Sequence, residues 1–182
     1  MKKLLFTLVA IFNSLFLFSQ TNYYSETKTF TESDYTYKTE VYSWGIIKLY
    51  NTSNSWINKR MMYKGTDQIY IKSDLGEDLF DHASWLVGEE NIQTIVSSAF
   101  SRDEKRMIGD KEMIITMYVN STTGRIDDVM FKFFDDSPYR FVPVSTYRKI
   151  ELDIKQNVQM TLTEAGRNLN YIYWWKDIVP GL

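Results

Sequence analysis

The chain has 182 residues, 44% of them hydrophobic and 24% charged, so it is long enough to bury a core and is not expected to be disordered. Its formal net charge is −2 and it has no basic stripe, which argues against a nucleic-acid-binding protein. The chain has no cysteine, and this excludes disulfides, thiolate metal ligands, a cysteine nucleophile and a cysteine-linked lipid.

Residues 1–19 have the pattern of a secretory signal peptide. Lys2 and Lys3 precede an almost entirely apolar run over residues 4–18. A membrane-spanning helix needs about 20 apolar residues, so this run is short for a permanent anchor. We predict cleavage between Ser19 and Gln20, followed by export to the periplasm, the cell surface or the medium. The alternative is an uncleaved signal peptide, which would be the protein's sole contact with the membrane.

Residues 20–182 are predicted to form a single α+β domain whose first part, residues 20–75, is rich in β-structure. Apolar residues alternate with polar ones over residues 35–41, which is typical of a strand. A second apolar stretch follows over residues 44–50, and residues 51–55 form a turn cluster. A further short strand is predicted over residues 68–72.

The next part of the chain begins with a predicted amphipathic helix. Its apolar stripe has helical spacing, and Asn91 is a candidate N-cap; the stripe consists of Ile92, Ile95, Val96, Ala99 and Phe100. Two alternating runs over residues 112–120 and 125–134 then flank a loop that contains Gly124. Such a pattern predicts a β-hairpin.

A second helix and a last strand complete the predicted domain. Ser145 or Thr146 is the candidate N-cap of a helix whose buried stripe consists of Tyr147, Ile150, Ile154 and Val158, with Leu152 outside it. Residues 163–166 are predicted to turn, and residues 168–176 to form a strand dense in aromatic side chains. The expected fold is therefore an antiparallel sheet with two helices on one face, extended or covered by the N-terminal strands.

The order helix, strand, strand, helix, strand over residues 90–176 resembles the C-terminal domain of TonB-type proteins. The resemblance rests on this order, on the hairpin over residues 118–129 and on the helix at residues 150–155. It implies a binding mode in which an edge strand pairs with an extended peptide. The long proline-rich spacer of energy transducers is missing, since the chain has three prolines. In style, the chain also resembles small secreted proteins of Bacteroidetes.

No catalytic or metal-binding pattern stands out. His82 is the only histidine, and Asp81 and Ser84 are too close to it in sequence to face it as a catalytic triad would. The acidic loop over residues 73–81 departs from the EF-hand spacing that calcium requires. The pairs Asp127–Asp128 and Asp135–Asp136 sit at strand ends, where successive side chains point to opposite faces. We expect no enzymatic activity, metal or cofactor.

The last predicted strand has an excess of aromatic residues on both faces. Leu169, Tyr171, Tyr173 and Trp175 share one face, and Ile172 and Trp174 share the other. Either the region over residues 35–72 covers the second face of the sheet, or part of that face is a binding surface. In the second case the candidate residues for a partner are Tyr171, Tyr173, Trp174 and Trp175.

These observations favour a non-enzymatic envelope protein that binds a protein or an extended peptide through its C-terminal sheet. The alternative is a secreted glycan-binding accessory protein that stacks sugar rings on Trp174, Trp175 and nearby tyrosines. A secreted hydrolase would need His82 in a cleft beside a carboxylate. A peptide binder should leave the backbone edge of the last strand unpaired, and a glycan binder should expose coplanar rings.

Overall fold

A computed structural model describes residues 22–71 and 79–181, apart from the side chain of Leu86. The predicted signal peptide and residues 73–78 of the acidic loop lie outside the described residues. The elements in chain order are β1 (Thr29–Glu32), β2 (Tyr35–Val41), β3 (Ile46–Asn51), α1 (His82–Ala99), α2 (Arg102–Ile108), β4 (Met113–Val119), β5 (Ile126–Phe134), a 3-10 turn (Pro138–Phe141), α3 (Val144–Asn157), α4 (Glu164–Arg167) and β6 (Ile172–Ile178).

All six strands belong to one antiparallel sheet with the order β1-β2-β3-β5-β4-β6. Strand β3 pairs with β5, so the N-terminal strands extend the sheet of the C-terminal hairpin. The α+β prediction is therefore confirmed. The sequence left open whether the N-terminal strands extend the sheet or cover it, and in the structure they extend it. Among the described residues, no helix is long and apolar enough to cross a membrane.

The β4–β5 hairpin forms where it was predicted, and its loop depends on Gly124. Gly124 has a φ of +71°, its N–H donates to the Asn120 carbonyl at 2.8 Å, and its own carbonyl accepts from the N–H of Met160 at 2.8 Å. A Cβ atom at Gly124 would lie 1.9 Å from the Met160 carbonyl oxygen. Only glycine therefore satisfies both the left-handed backbone and the close approach of the segment that follows α3.

The two long helices, α1 and α3, pack on the same face of the sheet and enclose the main core. The predicted stripe of α3 is confirmed, since Tyr147, Ile150, Ile154 and Val158 are all buried, while Leu152 is exposed. In α1 the residues Ile92, Val96 and Phe100 are buried against the same core. On the sheet, the residues of β4 that face these helices are Met113, Ile115, Met117 and Val119.

Both helices begin earlier than predicted. Helix α1 starts at His82, with Asp81 as N-cap accepting a hydrogen bond from the Ser84 N–H at 3.0 Å, so Asn91 lies inside the helix. Its first turns lack a clean apolar stripe and therefore gave no periodic signal. Helix α3 starts at Val144 after Pro143, without a side-chain cap, and the two residues proposed as its cap lie within its first turn.

Several shorter segments also differ from the prediction. Residues 68–71 form no strand and contribute an isolated bridge between Ile69 and Met62. The predicted turn after residue 162 is a short helix, α4, capped by the Thr163 hydroxyl. Strand β6 begins at Ile172 rather than at residue 168, because the chain leaves α4 only at Asn168. The strand β1 and the helix α2 were not predicted.

Candidate functional site

Strand β6 directs its aromatic side chains to opposite faces of the sheet, as its alternation predicted. Ile172 and Trp174 pack against the helix-side core, whereas Tyr173 contributes to a separate apolar cluster on the second face. The Trp175 ring lies beside the Tyr173 ring, with centroids 5.8 Å apart. The prediction that Leu169 shares a face with Tyr173 and Trp175 was wrong, because Leu169 precedes β6 and is buried in the helix-side core.

One end of the second face is covered by the segment that follows β3. Tyr50, Tyr118, Met130 and Tyr171 are buried there, and Trp56, Ile57 and Met61 pack over them. The Tyr171 hydroxyl donates to the Lys59 carbonyl at 2.7 Å, and its ring lies 4.4 Å from that of Trp56. Because Tyr171 is only 2% exposed, it is a core residue and offers no surface to a partner.

The rest of the second face carries large side chains that are exposed, as for Phe134 and Trp175, or half-buried. We define this region, the open face, by Lys48 on β3, Lys132 and Phe134 on β5, and Tyr173 and Trp175 on β6. Trp175 is 47% exposed and pairs across the sheet with Thr116, whose buried hydroxyl has no hydrogen-bond partner among the described residues. The Lys132 ammonium donates to the Tyr173 hydroxyl at 3.1 Å, which places these two side chains together.

Two lysines lie side by side in the open face. Lys48 and Lys132 are directly opposite each other in the β3–β5 register. Glu40, the neighbour of Lys48 on β2, approaches the Lys48 ammonium at 3.7 Å and Lys38 at 3.1 Å. Within residues 22–71 and 79–181, Lys132 has no carboxylate oxygen within 4.0 Å.

Glu40 is held as a carboxylate by its neighbours. Burial by itself would raise the pKa of Glu40, but hydrogen bonds from Tyr50, Lys38 and Tyr42 outweigh it and lower that pKa. The Tyr50 hydroxyl donates to Glu40 at 2.7 Å, and the Tyr42 hydroxyl donates to it at 3.1 Å. Glu40 pairs with Lys38 and Lys48 and does not lie within 4.0 Å of the Lys132 ammonium, so it does not form an ion pair with Lys132.

The outer backbone edge of β6 is partly occupied by a contact with Met61. In the described part of the chain β6 has a strand on one side, β4, and no strand on the other. On that outer side the Tyr173 N–H donates to the Met61 sulfur at 3.0 Å. Trp175 also has interactions of its own and is not an unpaired edge residue. A partner therefore has better access to the open face than to the outer backbone edge of β6.

Trp174, the remaining candidate partner-binding residue, lies on the helix side of the sheet. Its ring is 5.7 Å from that of Phe80, and the next residue but one, Lys176, pairs with Glu89 of α1 at 3.1 Å. Trp174 and Trp175 consequently point to opposite faces and do not form one sugar-stacking platform. Tyr173 and Trp175 share a face, but their rings are tilted by 48° rather than coplanar.

The residues considered for catalysis do not come together. His82 is exposed and lies against the Trp85 ring at 5.9 Å, while the Ser84 hydroxyl accepts from the Thr161 N–H at 2.7 Å. Asp127 is bound by the Asn120 amide, whereas Asp135 and Asp136 are exposed at the end of β5. No group of three or more metal-ligating side chains occurs among the described residues.

A buried charged network joins α3 to the sheet. Glu151 is 1% exposed, pairs with Arg148 at 3.0 Å and with Lys155 at 3.6 Å, and accepts hydrogen bonds from Tyr37 and Asn51. Burial, followed by the nearby Glu151 carboxylate, raises the pKa of Tyr37 well above its ordinary value, so Tyr37 is the donor. Through Tyr37 and Asn51 the network ties α3 to β2 and β3.

Comparison with known proteins identifies the family. The family described as "Domain of unknown function (DUF5043)" matches residues 20–175. The chain belongs to the DUF5043 family. A crystal structure of a DUF5043 family protein from Bacteroides uniformis ATCC 8492 is similar to it, with 32% identity and a TM-score of 0.79, covering 88% of this chain and 95% of that one. Comparison with curated proteins gives no match.

In this DUF5043 chain the two lysines of the open face were not predicted from the sequence. The signal for them was nevertheless present, because Lys48 interrupts the apolar strand β3 and Lys132 interrupts the apolar strand β5. A lysine at the centre of such a strand marks a face that is not fully buried. Phe134 lies two residues beyond Lys132 and borders a surface cavity of about 530 Å³.

Proposed function

We propose that this DUF5043 protein is an exported, non-enzymatic binding protein that docks a protein or peptide partner on the open face of its sheet. The observation that carries the proposal is that, in the described part of the chain, the segment covering the second face leaves Tyr173 half-buried and Trp175 and Phe134 exposed. Large apolar side chains that stay exposed beside a well-packed cluster are typical of interaction sites. Tyrosine and tryptophan are also the residues that contribute most to binding energy at protein interfaces.

The proposal keeps the C-terminal sheet as the binding element but departs from the binding mode implied by the resemblance to TonB-type domains. In that mode the peptide would add to the outer edge of β6. The contact of the Tyr173 N–H with Met61 occupies one position of that edge, so we place the docking surface on the face of the sheet instead. A partner on the open face reaches the side chains of β5 and β6 without displacing Met61.

Site-specific photo-crosslinking in cells tests the docking surface. A photoreactive phenylalanine analogue at Tyr173 or Trp175 should crosslink to a partner, while the same analogue at Leu152 should not. Leu152 on α3 is a matched control because it is 45% exposed, close to the 47% of Trp175, and lies on the helix side of the molecule. The crosslinked species is identified by mass spectrometry, purified, and titrated against the mature chain from Gln20 onward.

In that titration Trp175→Ala should weaken binding of the purified partner by roughly tenfold or more, as truncation of an interface tryptophan commonly does. Leu152→Ala should bind as tightly as the wild type. Equal affinity of the wild type and Trp175→Ala for every crosslinked species would refute docking on the open face. Circular dichroism of each variant establishes that it is folded.

Export and signal-peptide cleavage are tested separately. We expect the protein in the periplasmic, surface or culture-supernatant fraction, with Gln20 as its N-terminal residue. Recovery of the full-length chain from the cytosol would contradict export. Recovery from the membrane with Met1 still present would instead indicate the uncleaved alternative.

A second candidate function is glycan binding, which one observation favours. Trp44 is 70% exposed in the β2–β3 turn, and its ring lies parallel to that of Tyr42, with 5.5 Å between centroids and an angle of 8°. A ring held in this way can stack on a sugar. Affinity electrophoresis in polysaccharide gels should then show retardation of the wild type and none of Trp44→Ala. If both migrate alike in all gels, this candidate is excluded.

A further inference from the structure

We infer that the partner of the open face is an acidic peptide segment, in which a carboxylate binds Lys48 and Lys132 and an adjacent apolar side chain packs on the aromatic residues. This inference rests on the proposed function and specifies the partner's chemistry. It starts from the register, because Lys48 and Lys132 are directly opposite each other on neighbouring strands. Like charges in that position destabilise a sheet unless something neutralises them.

Among the described residues, Glu40 supplies the one carboxylate within 4.0 Å of the ammonium groups of Lys38, Lys48 and Lys132. Glu40 pairs with Lys38 and Lys48, and Lys132 lies on the far side of Lys48, so these four side chains together carry a charge of +2. The next carboxylate along the row is Asp177 on β6, but Ile114 stands between it and Lys132 in the register.

Each ammonium group of the pair has a tyrosine hydroxyl as its closest partner among the described residues: Lys48 donates to Tyr42 at 2.9 Å and Lys132 donates to Tyr173 at 3.1 Å. Lys48 also has Glu40 at 3.7 Å, whereas Lys132 has no described carboxylate within 4.0 Å.

The surroundings of the two lysines strengthen their attraction for an anion. The side chain of Lys48 is only 17% exposed, and Lys132 lies half-buried with its ammonium 5.8 Å from the centre of the Tyr173 ring. Water screens a charge less in such a position than on a fully exposed side chain. A ligand carboxylate placed between the two ammonium groups would form charge-assisted hydrogen bonds and remove their mutual repulsion.

The apolar neighbours define the rest of the ligand. Phe134 lies two residues from Lys132 on the same face of β5, and Trp175 lies beside Tyr173 on β6. The backbone of Phe134 lies about 7 Å from that of Lys132, the spacing of alternate residues along a strand. The Tyr173 ring centre lies 5.8 Å from the Lys132 ammonium and 5.8 Å from the Trp175 ring centre, so Tyr173 links the lysine to Trp175. The cavity beside Phe134 is lined by Asp110, Glu112 and Asp136, so the carboxylate of the ligand is placed at Lys132 and its apolar neighbour on the Tyr173 and Trp175 side. A peptide with an acidic residue next to an apolar or aromatic residue matches this arrangement.

Matched peptide arrays test the inference on the unaltered mature protein. One array carries peptides with a central Asp or Glu between apolar and aromatic residues, and its partner array replaces each acid by the amide, Asn or Gln. We expect roughly tenfold or greater preference for the acidic set, the size of one charge-assisted hydrogen bond. The preference should decline as NaCl is raised to about 1 M, where the screening length falls to about 3 Å.

Variants then assign the preference to the lysine pair. Lys132→Gln and Lys48→Gln should each reduce binding of the acidic peptides roughly tenfold and leave the amide peptides unchanged. Lys149→Gln, on the exposed side of α3, changes the net charge equally and should have no effect. If wild type binds the acidic and amide sets equally well, the inference is overturned while docking on the open face stands.

Two other outcomes are equally decisive. If no array peptide binds and the crosslinking at Tyr173 also fails, the proposed function and the inference fall together. If the array is silent but an anionic polysaccharide such as polygalacturonate binds in a manner that depends on Lys132, the lysine pair is an anion site whose occupant is a glycan. That result overturns the assignment of a peptide partner.

Discussion

Replacing Glu151 by glutamine should destabilise the protein substantially, because this carboxylate is 1% exposed and has four polar partners. Glutamine keeps the size of the side chain and removes the charge. The hydrogen bonds from Tyr37 and Asn51 then become neutral ones, and a bond to a charged group contributes about 1–1.5 kcal/mol more than a neutral bond. Arg148 and Lys155 also lose their shared counter-charge.

The size of the effect follows from how exposed the two cations are. Breaking a fully buried ion pair costs about 3–5 kcal/mol. The side chains of Arg148 and Lys155 are 21% and 33% exposed, so water recovers part of their solvation after the substitution. We therefore expect Glu151→Gln to lower the free energy of unfolding by about 2–3 kcal/mol. For a domain of this size the melting temperature should drop by about 4–12 °C.

Urea unfolding followed by circular dichroism measures this change, and Asp153→Asn provides the control. Asp153 lies on the same helix and pairs with Lys149 at 3.8 Å, but both side chains are more exposed. Its substitution should cost about 0.5 kcal/mol or less. A double-mutant cycle with Tyr37→Phe should give a coupling of about 1 kcal/mol between Tyr37 and Glu151. If Glu151→Gln costs no more than Asp153→Asn, the reasoning from burial is wrong.

Three further predictions concern the sheet and its loops. Gly124→Ala should lower the free energy of unfolding by more than about 3 kcal/mol, whereas Gly65→Ala, with φ +70° and nothing within 4 Å, should cost only the left-handed backbone term of about 1–2 kcal/mol. The pKa of Glu40 is lower in the folded protein than its ordinary value of 4.5, so the Glu40 carboxylate stabilises the fold at pH above 4.5. The stability advantage of wild type over Glu40→Gln should therefore disappear as the pH falls below 4.5 and Glu40 becomes protonated. Trp174→Ala should cost about 2 kcal/mol and Trp175→Ala less than about 1, measured by thermal unfolding.

The sequence was most informative where local chemistry and packing agree. The β4–β5 hairpin has alternating apolar residues and a glycine whose φ is positive, so its position could be predicted to within a residue or two. The buried stripe of α3 was equally clear because every residue of it points into one core. In these segments the local pattern has one structural solution.

Prediction failed where the structure depends on contacts far away in the sequence. The first turns of α1 carry exposed residues such as Val87, so the helix start is marked by the Asp81 cap rather than by an apolar stripe. The pairing of β3 with β5 joins segments about 80 residues apart, which no local pattern encodes. Tyr171 likewise looked like a surface residue, because the segment that covers it has no periodic signal of its own.

The two lysines also bear on whether the second face is open. If residues 52–63 covered the whole of it, the Lys132 ammonium would be buried without a described counter-charge, and Lys48 would share Glu40 with Lys38, at a cost of several kcal/mol. The covered part of the face ends instead at the cluster around Tyr118 and Met130, and Lys132 lies two residues beyond Met130 on β5. The same two residues that prevent complete burial of this face therefore give it a charge that a partner can recognise.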